Sequence, residues 1–180
     1  MPRREILISG FGGQGVVLAG RILGYAAVLA GQKATMLVSH GTETRGGYVR
    51  SQVVVASQDI DSPLVEKPDF FAALSQAAYQ RFIPLVTAGL TLYDPALVTP
   101  GEPITSRHQP VPARELAEAK TGSVLAANMV FLGVILAGLP TISREAGKQA
   151  VREIVRRQVE KNILALEAGY ALAESRVVSG

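Results

Sequence analysis

Cysteine is absent from the 180 residues. Its absence excludes disulfides, a thiolate nucleophile, cysteine-ligated zinc and any iron–sulfur cluster held by this chain. Histidine occurs only as His40 and His108, too few for a multi-histidine metal centre. Charge is also scarce, at 18% of residues against about 25% in ordinary soluble domains. Little of the surface can then be plainly solvated, and part of it is expected to be buried against other proteins. From Thr121 to Ser143 there is no charged residue, and residues 124–139 are almost continuously apolar. That run is shorter than the roughly 20 residues a bilayer span requires and contains Asn128, Gly133 and Gly138, so it reads as a buried helix.

The net charge is +3, and the basic residues gather late, at Arg144, Lys148, Arg152, Arg156, Arg157 and Lys161. They alternate with Glu145, Glu153 and Glu160 at helical spacing, the pattern of a solvated helix face with supporting ion pairs. No stacking aromatics are interleaved, which argues against a nucleic-acid patch. Residues 1–5 are short and charged and lead directly into Ile6-Leu7-Ile8, without the apolar stretch of a signal peptide. A cytoplasmic protein with neither nucleic acid nor membrane as partner is expected.

The length suits a single domain over residues 1–180. Glu5–Ser9 reads as a strand and residues 14–30 as a long helix stopped by Gly31, with Ala34–Ser39 as a second strand. Strand, glycine turn, helix, strand predicts a crossover with the two strands paired in parallel. Residues 48–56 form a valine-rich strand, followed by strands at 69–74 and 91–93 and a short helix at 76–82. The segment between Pro95 and Pro112 carries three further prolines and leaves room for at most one short strand near Ile104. Helices are expected at 113–119, 124–139, 143–159 and 162–174. The fold class is α/β: a Rossmann-like open, mostly parallel sheet with flanking helices and a helical C-terminal third.

Gly10, Gly12 and Gly15 satisfy Gly-x-Gly-x-x-Gly between the first strand and its helix, where a dinucleotide fingerprint has to sit. Such glycines permit a tight turn, close backbone approach to an anion, and close helix–strand packing. A dinucleotide site also wants an acid at the end of the second strand, and Val38-Ser39-His40 has none. Three readings stay open on the residues alone: a dinucleotide-binding oxidoreductase domain, a phosphate or carboxylate site, and a purely structural turn. A second cluster, Arg45-Gly46-Gly47, follows strand two and is expected at the same carboxyl edge of the sheet. With Gly10, Gly12, Gly13, Gln14 and Gly15 it could cradle one anion or present one surface to another subunit, unless Glu43 pairs with Arg45.

Gly-Phe-Gly-Gly-Gln-Gly-Val at 10–16, Ala19-Gly20, Gly-Thr-Glu-Thr-Arg-Gly-Gly at 41–47 and Ile60-Asp61-Ser62-Pro63 together resemble the gamma subunit of 2-oxoacid:ferredoxin oxidoreductases. The resemblance continues through Asn128, Leu132-Gly133, Asn162, Ala165 and Gly169-Tyr170, and so covers nearly the whole chain. It implies oxidative decarboxylation of a 2-oxoacid with coenzyme A to acyl-CoA, CO2 and reduced ferredoxin. It also implies alpha, beta and delta subunits as partners, with ferredoxin reached through the complex. Thiamine diphosphate, magnesium and the iron–sulfur clusters then belong to the other subunits, and this chain has neither a catalytic residue nor a metal site of its own. Its glycine loops would border the coenzyme A side. The absence of cysteine and of a Gly-Asp-Gly thiamine-diphosphate signature agrees with that division. His40 stands where the family commonly has an aromatic residue, and a loop-packing role is expected for it. The oxoacid pocket belongs mainly to other subunits; 2-oxoglutarate is favoured without any residue here that selects it.

Overall fold

Aliphatic and β-branched runs supply the strands. In the computed structural model, which describes residues 1–41, 47–102 and 106–177, β1 (Arg4–Phe11), β2 (Lys33–His40), β3 (Tyr48–Ala56), β4 (Phe70–Ala73), β5 (Leu90–Tyr93) and β6 (Arg107–Pro110) form one sheet. The order is β2-β3-β1-β4-β5-β6. Along β1, Ile6 and Ile8 enter one core and Leu7 the other, so both faces of the sheet are covered. The larger core lies under α1 (Val16–Leu29), α4 (Ala127–Ala137), α5 (Arg144–Ile154) and α6 (Val159–Val177), with α3 (Ala113–Thr121) at its margin. On the opposite face α2 (Gln76–Phe82) packs Tyr79 and Phe82 onto Leu7, Val54 and Phe71.

The α/β class and the mostly parallel sheet are as expected, but one pairing is not. β1 and β2 do not pair; β3 lies between them, antiparallel to both. The reason is loop length: residues 41–47 are too few for a crossover, which needs about a dozen residues or more, so β2 and β3 form a hairpin. Val53, Val54 and Val55 of β3 are all fully buried, which suits an interior strand and leaves β2 at the edge. His40 closes β2 opposite Val49 and is exposed, which replaces the expected loop-packing role. The strand expected near Ile104 begins later, at Arg107, and Ile104 itself lies outside the described residues. Pro110 ends it without penalty because β6 is the other edge.

The neutral segment becomes a 3-10 turn at Val124–Ala126, with the Ser123 hydroxyl accepting the Leu125 N–H, followed by α4. Every residue from Asn128 to Leu136 is buried, so this helix is core of the chain itself. It crosses α6 at Gly133 and Gly169: a Cβ on Gly133 would come within 2.9 Å of the Gly169 Cα and overlap the Leu166 carbonyl oxygen. Beside this crossing the Tyr170 ring is stacked under the Arg144 guanidinium, 5.0 Å from the ring centroid. Its buried hydroxyl has no hydrogen-bond partner, and burial pushes its pKa up to about 12.

Ser143 caps α5 by accepting the Ala146 N–H at 3.1 Å. The expected long helix from 143 stops at Ile154, where Val155 turns extended (φ −78°, ψ 129°), and Gln158, at φ 53°, completes the break before α6. Asn162 fixes that break by donating its side-chain amide to the Gln158 carbonyl at 3.0 Å. Of the expected pairs along α5, Lys148 and Arg152 both meet Glu145, whereas Arg144 pairs across to Glu167 and Glu174 of α6. Arg144 is held above its ordinary pKa by hydrogen bonding to Glu167, and Glu145 is held low by hydrogen bonds from Lys148 and Arg152.

Candidate functional site

The turn between β1 and α1 stands at the carboxyl ends of β1, β4 and β5, the edge where open α/β sheets bind ligands. Gln14 builds it. Its side-chain oxygen accepts the Phe11 N–H at 2.6 Å, and its side-chain amide donates to the Leu74 carbonyl at 2.8 Å, tying the turn to the end of β4. A Cβ on Gly10 would overlap that Gln14 oxygen and sit 2.8 Å from the Leu74 Cβ. Gly15 has φ 74° and lies against the Asn128 amide, which donates to its carbonyl at 3.1 Å. Asn128 also accepts the Met129 N–H at 3.0 Å, so α4 braces the turn from behind.

Gly12 and Gly13 differ from Gly10 and Gly15. Nothing lies within 4 Å of a Cβ built on either, and both are exposed. The motif therefore divides: Gly10 and Gly15 make room for side chains of this chain, while Gly12 and Gly13 turn bare backbone outward. Gly47 is half-buried just before β3, whose first residue, Tyr48, pairs with Phe11. The second cluster thus starts from the strand next to the first. Arg45 and Gly46 lie outside the described residues.

Beside Gly13 is a cleft of about 190 Å3, walled by Gln14, Asp94, Arg114, Leu125, Asn128 and Phe131. Asp94, at the end of β5, is only 2% exposed. Its carboxylate accepts the Ala96 N–H and the Arg114 N–H, each at 2.9 Å. α3 opens on Pro112, which offers no capping side chain, so Asp94 serves as its cap from across the sheet edge. The sequence pattern gives neither Asp94 nor Arg114 a role. The one signal for Asp94 is its place before Pro95 at the end of a buried strand. Phe11 and Leu125, 40% and 81% exposed, leave large apolar side chains in the open on either side of the turn.

A larger groove of about 500 Å3 lies against α1 and β2. In it the Tyr25 hydroxyl donates to Glu153, which holds the carboxylate low and the phenol high, while the buried Thr35 hydroxyl has no hydrogen-bond partner. Among the described residues no three histidine, aspartate or glutamate side chains gather where a metal ion could bind. No described helix is long and apolar enough to cross a membrane.

The sequence pattern of the pyruvate ferredoxin/flavodoxin oxidoreductase family matches residues 5–172. The chain belongs to that family. It is 40% identical to the 2-oxoglutarate synthase subunit KorC of Methanothermobacter marburgensis over 94% of this chain and 96% of that one. The subunit of the same name in Methanocaldococcus jannaschii is 37% identical over 96% and 95%. Among solved structures, the gamma subunit of a keto/oxoacid ferredoxin oxidoreductase from Geobacter sulfurreducens superimposes with a TM-score of 0.83 at 32% identity, covering 96% of this chain and 99% of that one. A 2-oxoglutarate:ferredoxin oxidoreductase from Magnetococcus marinus, solved with 2-oxoglutarate, coenzyme A and succinyl-CoA bound, reaches the same TM-score at 25% identity. There this chain matches 32% of a longer polypeptide. The gamma-subunit resemblance is confirmed: this is a gamma-type subunit of a multi-subunit 2-oxoacid:ferredoxin oxidoreductase, an oxidoreductase with ferredoxin as acceptor.

Proposed function

We propose that the chain is the gamma subunit of a cytoplasmic 2-oxoglutarate:ferredoxin oxidoreductase and lines the coenzyme A side of its active site. The bond between the carboxylate and the oxo carbon of the substrate breaks, releasing CO2, and a thioester forms to the coenzyme A sulfur. Ferredoxin takes the electrons, and the thiol proton goes to solvent. Iron–sulfur clusters take thiolate ligands, and this chain has no cysteine to supply them; thiamine diphosphate and magnesium are assigned elsewhere by the family resemblance. On this reading they sit in alpha, beta and delta subunits, and no step of the chemistry is assigned to a residue here.

The observation that carries the coenzyme A assignment is the outward backbone of Gly12 and Gly13 beside a cleft containing Arg114, at the edge that also carries Gly47. The 2-oxoglutarate assignment rests on near full-length likeness to two 2-oxoglutarate synthase subunits. On the sequence pattern Arg45, Gly46 and Gly47 are proposed to belong to the same coenzyme A site, Arg45 and Gly46 lying outside the described residues.

The test is steady-state kinetics of the reconstituted complex. Arg45→Ala should raise KM for coenzyme A more than KM for the oxoacid; equal changes, or none, remove the coenzyme A assignment and leave the subunit assignment standing. Among oxoacids, 2-oxoglutarate should give the highest kcat/KM. Tight NADH or NADPH binding by the isolated chain would instead favour a dinucleotide-dependent enzyme.

A further inference from the structure

The two edges of the sheet differ in what they offer another strand. β6 is short, starts on Arg107 and ends on Pro110, so a charge and a missing N–H donor guard it. β2, at the opposite edge, has no such device. Its residues 34–39 carry neither charge nor proline, and its register with β3 runs without a bulge from Lys33 opposite Ala56 to His40 opposite Val49. Lys33, at the start, is already paired with Asp59. An uncovered edge of this kind is a template for a further strand.

The outward backbone groups follow from the ladder. One step beyond its last pair, the Gly41 N–H donates to the Tyr48 carbonyl at 2.7 Å. Hydrogen-bonded pairs alternate along an antiparallel ladder, so Thr35, Leu37 and Ser39 turn their N–H and C=O inward to β3. Ala34, Met36, Val38 and His40 turn theirs outward. Ala34 and Met36 pack toward the larger core, and Val38 follows on the same face, 41% exposed. Val28 of α1, 54% exposed, and Arg21 stand along the helix wall of the groove that borders this edge.

We infer that β2 pairs antiparallel with β2 of a second copy of this chain, joining two six-stranded sheets across a two-fold axis at Leu37. Directly opposite residues must point to the same face, so the axis falls on a residue and not between two. With the axis at Leu37, Ala34 meets His40 and Met36 meets Val38 of the copy. Every outward N–H and C=O from Ala34 to His40 then gains a partner. Lys33 falls opposite Gly41, so no like charges face each other across the strands.

An axis at Met36 fits less well. It leaves His40 beyond the end of the copied strand, and it affects Arg21, a cation with no ion-pair partner among the described residues. Gly20 packs on Met36 and Gly24 on Ala34, so Arg21 lies close to the height of Met36 and would stand nearly level with its own copy. The axis at Leu37 sets the two Arg21 positions about 10 Å apart along the strands. The edge is thus complementary to itself in hydrogen bonding, face and charge, as an isologous contact requires. The copies run in opposite directions, so their glycine turns lie at opposite ends of the joined sheet.

The experiment is sedimentation equilibrium of the full chain, with disulfide trapping. The protein should sediment with twice its 19.0 kDa mass. Val38→Pro removes an outward N–H and no bond to β3, and should give a monomer with the wild-type circular dichroism spectrum. Val38→Lys puts a charge on the edge and should do the same, which covers a proline variant that fails to fold. The chain has no cysteine, so Leu37→Cys carries a single thiol on the axis. Facing Cα atoms of a non-hydrogen-bonded pair are about 4.5 Å apart, within disulfide reach, and copper-catalysed oxidation should join Leu37→Cys to its copy, in the free chain and in the reconstituted complex. Met36→Cys, opposite Val38, should stay unlinked on a non-reducing gel. A monomeric wild type whose Leu37→Cys does not cross-link overturns the inference. A dimer that survives both Val38 variants, or cross-linking at Met36 in place of Leu37, overturns it as well. Protection of the Leu37→Cys thiol from alkylation only in the complex, without a cross-link, overturns it in favour of a strand supplied by a different subunit.

Discussion

Replacing Asp94 tests how the cleft wall is held. Asp94 is buried, and its two oxygens accept N–H groups from two different segments, Ala96 in the turn after β5 and Arg114 in the first turn of α3. Asp94→Ala leaves both donors without their partner. A buried orphan donor costs about 1–3 kcal/mol, but Ala96 and Arg114 are exposed residues, so water can replace part of each bond. The low end applies, about 1 kcal/mol per bond, or roughly 2 kcal/mol in total. For a chain of this size that lowers Tm by about 4–8 °C. Asp94→Asn keeps one acceptor and turns an amide toward the other donor, so it should lose close to half as much. Urea unfolding of the isolated chain, followed by circular dichroism, measures the series. Equal loss for Asn and Ala, or less than about 0.5 kcal/mol for Ala, would refute the two-segment cap.

Gly10→Ala should destabilise by about 1–3 kcal/mol because Gln14 and Leu74 occupy the space its methyl needs, whereas Gly12→Ala should stay within about 0.5 kcal/mol. Thermal melts of both check this; equal losses would mean that all the glycines serve packing alone. Tyr170→Phe should hold or raise stability near neutral pH, since it deletes a buried hydroxyl with no partner. The same variant carries a pH signature. With the folded pKa raised to about 12 against roughly 10 for an unfolded tyrosine, the native protein resists ionisation. That stability is fully present below about pH 10 and is lost as pH rises toward 12. A phenylalanine ring cannot ionise, so the variant should show a shallower decline across that window, and parallel curves would count against a buried phenol.

The class, the strand and helix order, and the position of the glycine turn at the sheet edge were legible because they follow from local patterns: valine runs, a glycine turn after a strand, a neutral apolar stretch. The insertion of β3 between β1 and β2 was legible in principle, since the short 41–47 connection already forbids a crossover, but the strand–helix–strand pattern outweighed it. A break between the last two helices was legible, but at 160–161; its earlier position, from Val155 to Gln158, was not, because it falls in Val-Arg-Arg-Gln without glycine or proline and Gln158 is held by Asn162 one turn later. Asp94 and Asn128 stayed silent for a related reason. Each acts on backbone distant in sequence, Arg114 and Gly15 respectively, and no local spacing reports such a contact. Gln14 was expected among the cofactor-binding residues, yet its side chain is engaged inside the turn, bonded to Phe11 and Leu74.

The hairpin made by β2 and β3 separates the length of one loop from the register of the sheet. Its strands pair residue by residue from Lys33 opposite Ala56 to His40 opposite Val49, and β3 is locked to β1 as far as Tyr48 opposite Phe11. Residues 41–47 can therefore lengthen or shorten without shifting a single ladder bond. Loop closure costs little here, about 0.6 kcal/mol for each doubling of length. A gamma-type chain can thus vary this connection while the glycine turn next door keeps its shape.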